Sequence, residues 1–199
     1  MKGKYICLEG GDGTGKTTLA MALHARLGQS WLTRFPSEGI VGKLIRKGLT
    51  GELPIESKPF LYLFAADGLQ QQLKIQDVLE EECRHIICDR HPTLSGRVFQ
   101  PLHHPKEHIE AVYNSAAADG VWMPDYLFVL DVPPEVSLER MKSREKYDDV
   151  VFEKLDIDYI SMIRERYLVI AERFGGIVLD ATLPTGELVE QVVSMSGLA

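Results

Sequence analysis

Residues 4–27 decide the fold, and they read KYICLEGGDGTGKTTLAMALHARL. The apolar run over residues 4–9 predicts a buried strand, and residues 15–27 have the composition of a helix. Between them, GGDGTGKT at residues 10–17 satisfies the pattern GxxxxGK followed by Ser or Thr. A strand, this loop and a helix in that order are the context in which the pattern forms a phosphate-binding P-loop. The sequence therefore predicts that the chain binds a nucleoside triphosphate.

The chemistry of this loop assigns its residues to phosphate and metal. Its glycines let backbone N–H groups face phosphate oxygens, and the following helix adds its positive end. Lys16 would reach the β- and γ-phosphates, and the Thr17 hydroxyl would bind Mg²⁺. The pattern GxGxxG is absent, which argues against a Rossmann oxidoreductase. The predicted nucleotide-binding residues are Gly10, Gly11, Asp12, Gly13, Thr14, Gly15, Lys16, Thr17 and Thr18.

Further apolar runs alternate with helical segments along the rest of the chain. The predicted strands are residues 4–9, 31–35, 85–89, 126–131 and 176–180. The predicted helices are residues 15–27, 39–49, 56–82, 105–119, 134–146, 152–173 and 185–196. This alternation predicts an α/β fold, a doubly wound and mostly parallel five-stranded sheet with helices on both faces. Because no linker-like stretch interrupts the pattern, we expect one domain over residues 1–199.

The composition of the chain limits which ligands and which cellular compartment we expect for it. The 199 residues are 45% hydrophobic and 26% charged, as is typical of a globular chain. With 22 basic and 29 acidic residues, the net charge of −7 argues against a nucleic acid polymer as ligand. The three cysteines form no CxxC pair, which argues against a zinc site. No apolar run is long enough for a membrane span or a signal peptide, so we expect a cytoplasmic protein that binds no membrane.

Arginines follow the neighbouring predicted strands. Arg34 ends the second strand in TRFP, Arg46 follows in GKLIR, and Arg90 ends the third strand in CDRH. Ligands of open α/β sheets bind beyond the carboxyl ends of the strands, and arginine offers a bidentate fork to phosphate. We therefore expect a second phosphate opposite the P-loop, with Asp89 as a magnesium ligand beside Thr17. The alternative for each arginine is a surface ion pair.

A cationic segment, LERMKSREK, occupies residues 138–146. Arg140 and Arg144 are four residues apart, so they share one face of a helix. Such charges stabilise a phosphoryl group during its transfer if the segment closes over it. The alternative is a solvated helix face whose basic residues pair with Glu139 and Glu145.

These motifs together resemble the thymidylate kinase family, within the larger group of P-loop nucleoside monophosphate kinases. The resemblance covers nearly the whole chain, and the order LEGxDGxGKT, RFP, FAAD, DR and LDVPPE is far more specific than the P-loop alone. It implies transfer of the γ-phosphoryl group of ATP, with Mg²⁺, to a deoxynucleoside 5′-monophosphate. It also implies a homodimer. The stretches that carry it are LEGGDGTGKTT, TRFPSEGIVGKLIR, FLYLFAAD, ICDRH, PDYLFVLDVPPEVSLERMKSRE and YLVIAERFGGIVLDAT.

The resemblance further implies roles for individual residues. Asp12 would contact the sugar 3′-hydroxyl and Phe64 would stack on the base, although Phe64 also fits an apolar core stripe. Arg140 would join the ATP site, next to a mobile lid at about residues 141–152. The implied catalytic residues are Lys16, Asp12, Arg90 and Arg144. The implied acceptor-binding residues are Asp12, Arg34, Phe35, Arg46, Phe64 and Arg90. Gln100 is a further candidate, because an amide can pair with a pyrimidine edge.

The chain departs from the family pattern at two places. After FAAD the family usually has an arginine that reads the pyrimidine O4, whereas this chain has Gly68 followed by LQQQ. Gln100 or one of the glutamines at 70–72 would replace that contact, or the helix glutamines are simply exposed. In the lid, DDVV at residues 148–151 replaces the usual Asp-Arg pair, which leaves Arg144 as the main lid arginine.

Four functions are compatible with this sequence. The first is phosphorylation of dTMP to dTDP, and the second is the same reaction on dUMP or another modified deoxynucleoside monophosphate. The third is a deoxynucleoside kinase, which needs a general base near the second strand, where only Glu38 is available. The fourth is a nucleotide-binding module without turnover.

Overall fold

The computed structural model describes residues 3–81, 84–143 and 156–198. Strands and helices alternate through these residues, as the sequence predicts. The strands are β1 (Tyr5–Glu9), β2 (Ser30–Arg34), β3 (His85–Asp89), β4 (Tyr126–Asp131) and β5 (Ile177–Asp180). The α-helices are α1 (Lys16–Leu27), α2 (Ile40–Leu49), α3 (Ser57–Gln76), α4 (Pro92–Phe99), α5 (Lys106–Ala118), α6 (Pro134–Lys142), α7 (Ile157–Phe174) and α8 (Thr185–Ser196). A π-helical turn (Asp77–Glu81) extends α3, and a 3₁₀ turn (Gln100–Leu102) follows α4.

The five strands form one parallel sheet in the order β2-β3-β1-β4-β5. Cys7 of β1 lies opposite Cys88 of β3 on one side and Leu127 of β4 on the other. The chain first moves outward from β1 to β2, returns to β3, and then crosses to β4. The carboxyl ends of β1 and β3 therefore border the point where ligands bind in such sheets. The predicted fold class is confirmed.

Alternating residues of β1 supply two separate cores, one on each face of the sheet. Tyr5 and Cys7 belong to a core that is completed by α3, α4 and α7. Ile6 and Leu8 belong to the opposite core, which is completed by α1 and α8. The period of two in strand side chains puts successive residues on opposite faces. Burial on both faces explains why the predicted strands read as continuous apolar runs.

The main difference from the predicted elements is α4, which the sequence pattern did not indicate. Its eight residues include Gly96, and the helix is short enough to fall below the length that periodicity detects. Two local features begin it: Pro92 at the first helical position, and the His91 ring, which accepts a hydrogen bond from the Thr93 N–H. The predicted lid lies mostly outside the described residues, and so does Arg144. None of the described helices combines the length and the apolarity needed to cross a membrane.

Candidate functional site

The phosphate loop, residues 10–17, connects β1 to α1. Gly10 and Gly13 have φ angles of 143° and 80°, a region that side chains with a Cβ rarely adopt. A Cβ at Gly13 would lie 2.5 Å from the Ser137 carbonyl oxygen, and one at Gly10 would lie 2.7 Å from that of Leu130. The loop therefore passes directly against β4 and α6, and only glycine fits at these two positions.

Lys16 begins α1 and is 6% exposed. Its Nζ atom donates a hydrogen bond of 2.6 Å to the Gly11 carbonyl oxygen, and Thr14 Oγ1 donates one of 2.9 Å to the same oxygen. The lysine side chain thus lies along the phosphate loop. Burial, followed by the charge of Arg90, lowers the pKa of Lys16 to about 8. Negative charge from a bound triphosphate would favour the protonated form of this lysine.

Thr17 and Asp89 form a pair at the end of the loop. Thr17 Oγ1 donates to Asp89 Oδ2 at 2.6 Å. The other carboxylate oxygen, Oδ1, is buried without a hydrogen-bond partner among the described residues. An unpaired carboxylate oxygen beside a hydroxyl fits Mg²⁺, which prefers oxygen ligands and keeps several waters. Of the remaining loop residues, Gly15 directly precedes α1 and Thr18 is exposed in its first turn.

Arg90 lies against the phosphate loop, one residue beyond β3. Its Nη2 atom donates to Asp12 Oδ1 at 2.6 Å, and its Nη1 atom donates to the Gly10 carbonyl oxygen at 3.3 Å and to the Tyr167 hydroxyl at 2.7 Å. The guanidinium carbon lies 5.3 Å from the centre of the Phe99 ring. The structure therefore brings Arg90 and Asp12 together, at the edge of the loop that would hold the triphosphate.

Arg34 and Arg46 meet at a shared carboxylate, that of Glu38. Arg34 Nε lies 2.7 Å from Glu38 Oε1, and Arg46 Nη2 lies 3.1 Å from Oε2. A second Arg46 nitrogen, Nη1, donates to the Pro36 carbonyl oxygen at 2.7 Å. Sheet register places Arg34 opposite Asp89, so this cluster shares an edge with the Thr17–Asp89 pair. Two guanidinium groups thus already hold one anionic group at the carboxyl end of β2.

Buried polar side chains of α3 form hydrogen bonds with the segments next to the Arg34–Glu38–Arg46 cluster. The fully buried Asp67 accepts hydrogen bonds from Ser37 N at 2.7 Å and from Ser37 Oγ at 2.5 Å. Gln71 Nε2 donates to Thr33 Oγ1 at 2.8 Å and to the Arg34 carbonyl oxygen at 3.0 Å. Gln72 Oε1 accepts from Trp122 N at 2.9 Å. Asp67 and these two glutamines therefore hold backbone segments in place.

An open cleft of about 530 Å³ runs along this region. It is bordered by the start of α1, by β2 and the residues after it, and by the α3 face that carries Gln70 and Lys74. Gln70 is exposed, unlike the two glutamines that follow it. The cleft connects the Thr17–Asp89 pair with Arg34, and its lining also includes Glu38 and Gln70.

Phe64 lies in an aromatic group beside the arginine cluster. Its ring centre is 5.7 Å from that of Phe35 and 5.0 Å from that of Phe60. Phe35 is buried, whereas Phe64 is only partly buried and packs against the core between α3 and α5. The partly open ring is compatible with stacking on a base, and it also contributes to packing.

The absence of an arginine after FAAD has a steric cause in this chain. A Cβ at Gly68 would lie 2.7 Å from Pro92 Cβ and 3.0 Å from Pro92 Cγ. The beginning of α4 therefore packs directly on α3 at this position. A larger residue at position 68 would therefore require Pro92 to shift.

Replacing Gly68 with alanine tests this packing. Alanine normally stabilises a helix relative to glycine, but here overpacking against Pro92 is expected to destabilise the protein by about 1–3 kcal/mol. Gly186 in α8 is the matched control, because a Cβ there has no neighbour within 4 Å. Chemical denaturation of Gly68→Ala and Gly186→Ala measures both effects. Equal or greater stability of Gly68→Ala would show that the α3–α4 contact is looser than described.

The two remaining predicted residues are Gln100 and Arg140. Gln100 is buried at the start of the 3₁₀ turn after α4, with 6% exposed. Arg140 Nη1 donates to the Ala181 carbonyl oxygen at 3.0 Å, which ties α6 to the chain after β5. Neither side chain belongs to the arginine cluster at Glu38.

Three buried residues next to Arg90 were not predicted from the sequence. Glu9, Ser95 and Tyr167 form a buried group beneath Arg90. The available signal was Glu9, a charged residue that ends the apolar run KYICLE. The other two come from α4 and α7, and nothing in the linear sequence brings them to Glu9.

Known proteins are similar to this chain over most of its length. The profile of the thymidylate kinase family matches residues 8–192. A probable thymidylate kinase of Methanocaldococcus jannaschii is 32% identical over 95% of this chain and 93% of its own length. A probable thymidylate kinase of Methanococcus maripaludis is 34% identical over 90% of this chain and 87% of its own length. A thymidylate kinase of Coprothermobacter proteolyticus is 31% identical over 95% of this chain and 96% of its own length. The chain belongs to the thymidylate kinase family.

Proposed function

We propose that this protein transfers the γ-phosphoryl group of ATP to the 5′-phosphate of dTMP, giving dTDP and ADP. The observation that carries the proposal is the position of Arg90, whose guanidinium group contacts the phosphate loop through Gly10 and Asp12. Three of the five N–H groups of this arginine are used by described residues. The others can hold an acceptor phosphate next to the triphosphate.

The donor side consists of the phosphate loop and the Thr17–Asp89 pair. Backbone N–H groups of the loop and the start of α1 would bind the phosphates of ATP, and Lys16 would neutralise the β- and γ-phosphates. Thr17 and Asp89 would hold Mg²⁺, through the hydroxyl and the unpaired Oδ1 atom. When bound, the ion would neutralise negative charge that develops on the phosphates during transfer.

On the acceptor side, Arg34 and Arg46 would bind the monophosphate. Their contacts with Glu38 support this role. A guanidinium group binds the two oxygens of a carboxylate and two oxygens of a phosphate in the same way. In the reaction, an oxygen of the acceptor phosphate forms a bond to the γ-phosphorus, and the bond from that phosphorus to the β,γ-bridging oxygen breaks. The second pKa of a phosphate monoester is near 6, so the attacking oxygen is already ionised and no general base is needed.

A deoxynucleoside kinase would require a base for its hydroxyl acceptor, and Glu38 is poorly suited to that task. The hydrogen bond from Arg34 holds the pKa of Glu38 below its usual value. A carboxylate that is paired with two guanidinium groups is a weak base. The geometry therefore favours a phosphate acceptor over a nucleoside.

Several parts of the expected mechanism stay predictions. These are the lid at about residues 141–152, the role of Arg144, the base contacts of Phe64 and Gln100, the ATP contact of Arg140, and the homodimer. They rest on the family resemblance, except the contact of Gln100, which rests on the ability of an amide to pair with a pyrimidine edge. Arg144 and most of the lid lie outside the described residues.

The proposal is tested by measuring ADP release with ATP and Mg²⁺ across a panel of acceptors. The panel contains dTMP, dUMP, dCMP, dAMP, dGMP and thymidine. We expect the highest kcat/KM with dTMP and no turnover of thymidine. Phosphorylation of thymidine that Glu38→Gln abolishes would identify a nucleoside kinase, and better turnover of dUMP would change the base assignment. Tight ATP binding without any ADP release would indicate a module without turnover.

A further inference from the structure

The buried carboxylate of Glu9 has no part in the mechanism above. Glu9 ends β1 and is 0% exposed. Its Oε1 atom accepts a hydrogen bond from His91 N at 2.7 Å, and Ser95 Oγ lies 3.0 Å from Oε1 and 2.9 Å from Oε2. Burial raises the pKa of Glu9, while the charge of Arg90 acts in the opposite direction. A buried carboxylate is costly unless it is paired or hydrogen-bonded, so the surroundings of Glu9 indicate a specific role.

A chain of hydrogen bonds joins Glu9 to Arg90. A guanidinium group only donates, so the Tyr167 hydroxyl accepts from Arg90 Nη1 at 2.7 Å. The Tyr167 hydroxyl can then donate to Ser95 Oγ, 3.4 Å away, and the Ser95 hydroxyl can donate to Glu9. Burial raises the pKa of Tyr167 well above its usual value, which keeps the hydroxyl protonated. Two neutral hydroxyls thus connect the buried guanidinium group of Arg90 with the buried carboxyl group of Glu9.

Glu9 also fixes the backbone that carries Arg90. Arg90 has a φ of 79° and is the one non-glycine residue with positive φ in the described part of the chain. The peptide before it is held by the Arg90 N–H, which donates to the Leu8 carbonyl oxygen at 2.9 Å. The next N–H, that of His91, donates to Glu9. The conformation costs free energy and persists because its surroundings hold it.

We infer that Glu9, Ser95 and Tyr167 are positioning residues that aim the Arg90 guanidinium at the acceptor phosphate. They reach it from three elements, β1, α4 and α7, and none of them lies in the acceptor cleft described above. The inference rests on the proposed function, because it assigns Arg90 to the acceptor. Physically, these contacts add to those of Asp12 and Gly10 in fixing the direction in which the unused N–H groups of Arg90 point.

The variant Tyr167→Phe tests the inference, since it removes one hydroxyl and keeps the ring. We expect the Kd and the KM for dTMP to rise roughly tenfold, the scale of one hydrogen bond to a charged group. The Kd for ATP should change less than about twofold, because the phosphate loop keeps its other contacts. Isothermal titration calorimetry with each nucleotide alone gives both values without relying on turnover.

Tyr113→Phe is the matched control. Tyr113 is also fully buried, and its hydroxyl has no hydrogen-bond partner among the described residues. Its removal should leave both Kd values unchanged. Ser95→Ala is the second variant, and it should raise the Kd for dTMP in the same way. The two hydroxyls act in series. The Kd of the double variant Tyr167→Phe/Ser95→Ala for dTMP should therefore be at most about twice the higher Kd of the two single variants.

The outcomes separate this inference from the proposed function. If the wild type phosphorylates dTMP and Tyr167→Phe and Ser95→Ala leave its Kd unchanged, the inference is wrong while the function stands. Equal weakening of ATP and dTMP binding would show a general structural role and also overturns it. If the wild type phosphorylates no monophosphate, the proposed function itself fails. If Tyr167→Phe does not fold, Ser95→Ala alone decides between these outcomes.

Discussion

Replacing Lys16 with methionine is expected to lower kcat by at least about 10²-fold, through the loss of transition-state charge stabilisation. Lys16 is held along the phosphate loop by its hydrogen bond to the Gly11 carbonyl oxygen. The charges of Arg90 and Asp89 both act on its pKa. Methionine keeps the length and most of the volume of the buried side chain, so the packing of α1 is preserved. Steady-state ADP release with ATP and dTMP measures the effect.

The control for this variant is Lys106→Met. Lys106 begins α5 and is exposed, so it tests the loss of one positive charge without any change in the phosphate loop. We expect kcat within about twofold of the wild type. Thermal denaturation of both variants checks that they fold. Wild-type turnover by a folded Lys16→Met protein would place the triphosphate outside this loop.

Replacing Asp89 with asparagine is expected to weaken the apparent Mg²⁺ affinity by about 10–100-fold, with a matching loss of turnover at low Mg²⁺. Asparagine keeps an oxygen that can accept the Thr17 hydrogen bond but removes the negative charge and one carboxylate oxygen. A titration of Mg²⁺ at saturating ATP and dTMP measures the change. High Mg²⁺ should restore part of the turnover, because the remaining oxygen ligands are intact.

A double-mutant cycle with Thr17 sharpens this test. Thr17→Ser keeps the hydroxyl and should behave like the wild type, whereas Thr17→Val removes it and should shift the Mg²⁺ titration in the same direction as Asp89→Asn. Groups that share one ion show non-additive effects. Strict additivity of Thr17→Val and Asp89→Asn, or a Mg²⁺ dependence that neither variant changes, would remove the pair from the metal site.

The order of strands and helices was readable from the sequence because each element carries a local signal. Strands that are covered on both faces appear in the sequence as apolar runs. The glycines of GGDGTGKT indicate the conformation of that loop, because three of them have positive φ. The sequence also predicted which residues end the strands, and parallel strands bring those ends to one edge. Helix α4 was not predicted, because its eight residues are too few to show a helical period and its local features, Pro92 and the His91 cap, mark only its start.

The candidate site was predictable only as a set of residue types. The sequence indicated that Arg34, Arg46 and Arg90 follow strands, yet it did not show that the first two share Glu38 while the third pairs with Asp12. Pairing of this kind depends on side-chain directions, and Arg90 and Asp12 are 78 residues apart in the sequence. Such long-range geometry has no counterpart in local composition.

By itself, the sequence determined the α/β fold, the phosphate loop and the family of this protein, because these depend on periodicity, on glycine conformation and on motif order. Tertiary structure alone decided why position 68 is glycine, since Pro92 meets it only when α4 lies on α3. It also decided that Glu9, Ser95 and Tyr167 meet beneath Arg90. Contacts between distant segments arise from packing, and packing is fixed by the whole chain and not by any one stretch of it.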